Sequence, residues 1–397
     1  MKRIATLLFL CPALMHAADW PQWRGPNRDG VSTETGWSAQ WAAGGPRQTF
    51  KLNVGIGCSS VAVSKGRLFT MGNTNDTDTV WCLDEATGKE VWKRSYPCPL
   101  DPIMFEGGPG ATPTVDGDRV YTLSRAGHLH CLDAATGKVV WMKHLVNDLG
   151  GKAPKWGYSG SPLVLGKSVI VDAGAPGAAT VAFDKATGGI AWKDGDEAAG
   201  YSTPLAFENG GKQYLALFNA FGLVVREADG GKTVAKQEWK TNYDVNAATP
   251  IVSGDKVFVA SGYGKGGAQF QFTGSELKSV WQTKKMRNQF STCVLWQGYL
   301  YGFDESKLTC LDFANGDVKW TQEDLGKGSL MLADGRLIIQ SEKGDLVIAA
   351  AAPDGFKELA RAKVLDQRCW VVPVLANGRI YCKNNVGDLI GRDVGAR

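Results

Sequence analysis

The side chains with the strongest claim on chemistry are the imidazoles and the thiols. Of four histidines, three lie beyond the N-terminal apolar run: His128, His130 and His144. Of nine cysteines, eight lie beyond it, because Cys11 falls inside. A zinc site needs three or four such ligands converging, often with Cys-x-x-Cys spacing. No such pair occurs, nor any Cys-x-x-Cys-His that would attach haem. His128 and His130 alternate along one run and so share a face of a strand, but no third ligand accompanies them. Nothing suggests a Ser/His/Asp hydrolase. Cys82, Cys131 and Cys310 hold one position in copies of a repeat, and Ala182 holds it in another copy. They read as small buried apolar residues with free thiols, although an even count in an exported chain also permits disulfides.

The repeat is what must position these residues. Residues 82–92 read Cys-Leu-Asp-Glu-Ala-Thr-Gly-Lys-Glu-Val-Trp, and related copies stand at 131–141, 182–192 and 310–320. Self-similarity at a period of roughly 40–50 residues marks stacked units or propeller blades. Asp84, Asp133, Asp184 and Asp312 open a turn where a short carboxylate can accept backbone N–H bonds. Gly88, Gly137, Gly188 and Gly316 sit where a hairpin needs positive φ. Trp92, Trp141, Trp192 and Trp320 recur at a fixed offset, as rings filling gaps between neighbouring blades would. Identical roles in every copy make these turn and packing residues rather than one special site.

A second hairpin precedes each turn. Its eight copies cover 61–69, 114–121, 163–170, 205–214, 251–258, 294–301, 330–337 and 374–381. Each alternates apolar and polar residues around a glycine-bearing turn. Hairpin plus turn pair gives four strands per unit, which predicts an all-β, eight-bladed β-propeller of four-stranded antiparallel blades. The pairs at 224–231, 270–277 and 347–355 are degraded, and seven blades is the fallback if one of them is not a blade. The last unit stops near Asp393 with no room for a fourth strand. Residues 48–52 are expected to fill that place and close the ring.

Residues 1–18 read as a secretory signal: Lys2 and Arg3, an apolar core, then Ala17 and Ala18. The expected location is periplasmic or secreted. A lipid anchor on Cys11 is disfavoured by the bulky Leu-Phe-Leu before it. Removing the leader takes two basic residues from 44, leaving 42 against 40 acidic. That balance gives no electrostatic case for nucleic acid or an anionic membrane, and no other run is long enough to span a bilayer. Residues 19–45 hold Trp20, Trp23 and Trp37 among Pro and Gly. They are expected to form an ordered arm packed on a propeller of residues 46–397, with ligand capture by Arg24 or Arg28 as the sharper alternative.

The turn copies, and the opening Asp-Trp-Pro-Gln-Trp-Arg-Gly-Pro-Asn-Arg-Asp-Gly of residues 19–30, resemble the pyrroloquinoline-quinone (PQQ) repeat superfamily. That superfamily holds both quinoprotein alcohol dehydrogenases and BamB-type scaffolds of outer-membrane assembly. The resemblance covers residues 19–397 and implies the fold more firmly than the activity. It implies that ligands meet the face lined by the loops before each first strand and between second and third strands. This maps Glu106, Trp156, Tyr158, Tyr201, Asn246, Arg287, Asn288, Gln289, Arg368 and Trp370 to the first loop set. Asn73, Arg125, Asn219, Tyr263, Asp304, Glu342 and Asn384 fall in the second. Trp156, Tyr158, Asn246, Arg287, Asn288, Arg368 and Trp370 form the candidate ligand site, with rings to stack on and amides and arginines to bind a planar anion.

The family's dehydrogenases hold PQQ with calcium through Glu, Asn and Asp, often over a disulfide between adjacent cysteines. Here no two cysteines are adjacent, and the chain is short beside those enzymes. Glu106, Asn246 and Asp304 could offer hard oxygen ligands. The resemblance therefore leaves two expectations. The favoured one is a monomeric, exported, non-catalytic propeller that binds a protein, peptide or glycan on its loop face. The alternative is a PQQ- and calcium-dependent alcohol dehydrogenase.

Overall fold

The computed structural model describes residues 18–42 and 44–395. Apart from Ala18, the expected leader lies outside the described residues, as does Cys11. Eight four-stranded antiparallel units succeed one another around a ring, the seventh joined by a short fifth strand. The first runs Ala62–Ser64, Arg67–Asn73, Thr77–Asp84 and Glu90–Pro97 from axis to rim. The three degraded pairs form full blades as well, built on Gly222–Glu227, Gly266–Phe272 and Asp345–Ala350. The described helical segments are Leu145–Leu149 and the single turn Asn242–Asp244. Inner strands are buried on both faces because each lies between two neighbouring blades, while the rim strands alternate with solvent.

The ring closes as the sequence predicts. Arg47–Asn53 is the outermost strand of the eighth blade, antiparallel to Asp388–Asp393, with Phe50 opposite Gly391 and Leu52 opposite Leu389. A terminal strand locked into the last blade leaves no open seam.

The recurring tryptophans join neighbouring blades at several junctions. The indole N–H of Trp92 donates to the Ala134 carbonyl at 3.0 Å, Trp141 to Lys185 at 3.0 Å, Trp281 to Phe313 at 3.1 Å and Trp320 to Ala352 at 2.8 Å. Each acceptor lies in the turn of the following blade. At three of these junctions the turn glycine of that blade lies against the same ring, whereas Gly355 stands clear of Trp320. A Cβ on Gly137 would sit 2.5 Å from the Trp92 ring, and one on Gly188 would sit 2.8 Å from Trp141. At the closure Phe50 takes the tryptophan's part, since a Cβ on Gly88 would meet its ring at 2.6 Å. The strand register even slips beside Phe50 as it does beside Trp141.

Glycine is thus required twice at position 137, by its φ of 71° and by the ring. Gly117 has φ of 63° but open space around it. Gly117→Ala should cost about 1 kcal/mol from the left-handed backbone alone. Gly137→Ala should cost about 3 kcal/mol, because the Trp92 ring must also shift. Urea unfolding of the two variants checks this; equal losses would mean the ring contact carries no energy.

Nearer the axis, hydroxyls link the blades. The Ser60 N–H donates to Thr112 Oγ1, Thr112 N–H to Ser161 Oγ, Ser161 N–H to Thr203 Oγ1, and Thr249 N–H to Thr292 Oγ1. At the closure a lysine does this work. Lys383, 1% exposed, donates to the carbonyls of Gly57, Ser59 and Met71 at 2.9–3.1 Å. Burial lowers its pKa to about 8, and the three carbonyls surround the ammonium that remains at neutral pH.

All eight described cysteines are free thiols and seven are buried, Cys82, Cys131 and Cys310 among them. The arm lies across one end of the axis. Trp20 and Val63 exchange backbone hydrogen bonds, and Val31–Ser32 adds to the seventh blade as its parallel fifth strand. Arg28 donates to the Val164 carbonyl, and Arg24 to the carbonyls of Arg28 and Asp29. Both guanidiniums hold the strap rather than facing the loop side.

Candidate functional site: the axial pocket

The connectors that lead into the first strands converge on the axis and leave a cavity of about 400 Å³. That volume lies in the range of about 300–1,000 Å³ usual for ligand pockets. Its floor is Trp23 of the arm, whose indole N–H donates to Thr249 Oγ1 at 2.9 Å. Around it stand small residues, Gly110, Ser161, Thr203 and Ala247. Two of these belong to the hydroxyl links, so the contacts that close the wheel also set the width of the pocket.

The wall is aromatic. Phe105, Trp156, Tyr201, Tyr263, Phe290 and Trp370 all line it. Trp156 and Tyr201 have ring centres 6.0 Å apart, and Phe290 stacks on Trp370 at 4.4 Å. Ile103, Met104 and Phe105 reach over from the connector between the first two blades. Arg125 fixes that connector through the carbonyls of Leu100 and Asp101 and the Asp101 carboxylate, and the Trp156 indole donates to Ile103. Met104 at the tip is 88% exposed with φ of 63°.

Polar atoms at the wall are largely engaged by one another. The Trp370 indole donates to Glu342 Oε1 at 3.1 Å. The Arg368 guanidinium lies 4.6 Å from the Trp370 ring centre and pairs with Glu106 at 3.4 Å. Lys327 donates to Gln289 Oε1 and lies 3.7 Å from Glu305, while Gln289 Nε2 donates to the Tyr263 hydroxyl. No Asp, Glu or His is among the lining residues, and Lys327 is their one charged member. Burial pushes the Cys58 thiol up to about 11 and the Tyr201 phenol up to about 12, so neither ionises at neutral pH.

Of the seven candidate residues, Trp156 and Trp370 line the pocket and Arg368 stands behind Trp370. Tyr158 is buried and donates to the Ala173 carbonyl. Asn246 is buried, donating to the carbonyls of Asn219 and Trp239 and accepting from Ser261. Asn288 is buried and donates to the Phe303 carbonyl. Arg287 is fixed by the Asp304 carboxylate through both Nε and Nη2, at 2.6 and 3.0 Å. The structure therefore brings two of the seven to the cavity directly, and four serve the scaffold around it. Sequence reasoning missed Trp23, Cys58, Phe290 and Lys327, and the run 103–105. One signal was available: Thr112, Ser161, Thr203 and Thr249 each precede a proline, and all four belong to the hydroxyl links near the axis.

The histidines lie elsewhere. His128 and His144 have ring centres 4.4 Å apart, and Tyr96 lies 4.6 Å from His130. No group of three or more His, Cys, Asp or Glu able to hold a metal occurs among the described residues.

A closed eight-bladed wheel with an aromatic cup on its axis defines the class: an eight-bladed β-propeller with an axial pocket. Residues 76–322, more than half of the chain, match the family model described as outer membrane protein assembly factor BamB, and the chain belongs to that family. No curated protein sequence matches the chain. Among solved structures it is similar to BamB from Moraxella catarrhalis, at 15% identity and TM-score 0.61, over 87% of this chain and 97% of that one. It is also similar to the quinohemoprotein alcohol dehydrogenase from Comamonas testosteroni, at 15% identity and TM-score 0.69, over 96% of this chain and 81% of that one. The computationally designed Ika8 protein aligns at 10% identity and TM-score 0.61, over 86% of this chain and 98% of that one. Identities this low establish the fold alone.

Proposed function

We propose that this chain is an exported, monomeric, non-catalytic binding module that engages a protein, peptide or glycan on its loop face. The observation that carries this reading is the makeup of the axial cup: an aromatic wall, a closed floor, and a lining without a carboxylate or imidazole. Such a surface binds by burial and stacking, and it offers no group to accept a proton from a substrate. The absence of any helix long and apolar enough to cross a membrane among the described residues is compatible with a periplasmic or secreted location.

The alternative is a PQQ-dependent alcohol dehydrogenase, and the Phe290–Trp370 stack beside Arg368 favours it. The oxygen donors do not fit its calcium. Glu106 accepts from Asn385 and pairs with Arg368, Asp304 is held by Arg287, and Asn246 is buried among carbonyls. A calcium ion needs six to eight oxygens converging, and these three are each engaged in a separate contact. Titration with PQQ and calcium, followed by a dye-reduction assay with alcohols, separates the readings. The expected result is no saturable uptake and no alcohol-dependent reduction. Tight uptake with dye reduction overturns the binding-module reading.

A further inference from the structure

We infer that the cup takes an extended segment of a partner protein whose aromatic side chains are flanked by Asp and Glu. This inference rests on the binding-module reading and names the chemistry of the partner. It starts from what the wall offers. The three indole N–H groups of the lining are all satisfied internally: Trp23 by Thr249, Trp156 by Ile103 and Trp370 by Glu342. Gln289 and Lys327 bond each other, and Gln289 also holds the Tyr263 hydroxyl. What remains is ring surface with few free donors or acceptors. A sugar needs several hydrogen bonds to replace those its hydroxyls lose to water. An aromatic side chain needs none and gains offset or edge contacts with the rings.

The mouth adds a sign. Lys155 holds its ammonium 5.0 Å from the ring centres of both Trp156 and Tyr243. Lys265 lies over Trp239, two residues from Tyr263 of the wall, and Lys284 and Lys285 stand on the connector that carries Gln289 and Phe290. None of these four lysines takes part in an ion pair among the described residues, unlike neighbouring Arg287 and Lys327. Glu342, which accepts from the Trp370 indole and pairs with no base among the described residues, and solvent-facing Asp244 only partly offset them. The chain beyond the leader is nearly neutral, at 42 basic against 40 acidic residues, so this is a local asymmetry. Aromatic platforms beside lysines also suit single-stranded nucleic acid. Here the lysines flank one side of a closed cup instead of tracking a groove, and nucleic-acid binders carry a larger overall positive charge. A short acidic segment matches both features at once.

Calorimetry tests this on the full chain with three capped hexapeptides: Glu-Phe-Glu-Tyr-Glu-Phe, the same with Lys for Glu, and the same with Ala for the aromatics. A ten-residue thymidine oligomer is the fourth probe. The acidic aromatic peptide is expected to bind at least tenfold more tightly than the other three. Its affinity should fall as salt rises, since about 10 Å of screening length at 0.1 M shortens further. The triple variant Lys155→Glu, Lys284→Glu, Lys285→Glu, all exposed positions, should lose at least tenfold while melting unchanged. The inference is overturned if the lysine peptide binds equally well, if the oligomer binds more tightly, or if no peptide binds. Where the lysine peptide binds equally well and Tyr201→Ala removes it, loop-face binding stands and only the acidic chemistry falls. Where nothing binds and PQQ with calcium supports alcohol oxidation, the binding-module reading falls too.

Discussion

Phe50→Ala should destabilise the protein by about 3–5 kcal/mol, the usual cost of emptying a large buried aromatic site. Phe50 is 8% exposed and fills the place that a tryptophan fills at other blade junctions, against Gly88 and 6.2 Å from Tyr381. Its strand is the closure of the ring, so the loss falls where the ends of the chain meet. Amide exchange in Arg47–Asn53 and Asp388–Asp393 should rise well before exchange in the blades opposite. A loss below about 1 kcal/mol in urea unfolding, or uniform exchange around the ring, would mean the closure does not depend on this contact. Phe50→Trp should keep most of the stability, because a tryptophan occupies the corresponding place elsewhere.

The second large effect is hidden in the wild type. Asp78 and His130 stand at the junction of the first two blades, with the Tyr96 ring tilted against His130 at 4.6 Å. Burial raises the Asp78 carboxyl to about 6, with Asn73, Cys98 and Arg125 pulling the other way. One of its oxygens, Oδ2, is buried without a donor. Burial lowers the His130 imidazole to about 4, helped by His128 and Arg94. The signs oppose each other. The folded protein holds the Asp78 proton more tightly than the unfolded chain does, so this stability is lost as pH rises from about 4 through 6. It holds the His130 proton less tightly, so that stability is lost as pH falls from about 6.5 through 4. Each term is worth about 3 kcal/mol at about 1.4 kcal/mol per pKa unit, and over the same window they nearly cancel. Asp78→Asn should therefore gain about 2 kcal/mol relative to wild type between pH 4.5 and 7.5, the part of the swing that falls inside that window. His130→Gln should lose about as much over the same interval. Unfolding free energies of the three proteins at the two pH values decide it, and slopes parallel to wild type would refute the pairing.

The wheel was legible because its cause is repeated. Asp84, Gly88 and Trp92 return as Asp133, Gly137 and Trp141, and each copy has the same turn and the same neighbour to meet. Even Phe50 could be placed, since a chain lacking a last strand must find one elsewhere. The cup was less legible. Tyr158, Asn246 and Asn288 have the residue types of ligand contacts, but buried connectors need their own carbonyls and N–H groups satisfied, and these side chains do that. Trp23 looked like part of a strap, and only the fold reveals that it forms a floor. The lysines at the mouth come from separate connectors, so no run of basic residues announces them.

Trp23 has one more consequence. Propellers are commonly pictured as rings with a hole, through which a long molecule could be drawn. With an indole anchored to Thr249 across the far end, this ring is stoppered. Whatever visits must arrive and depart on one side, so the protein can grip a tip, a loop or a protruding side chain but cannot be threaded.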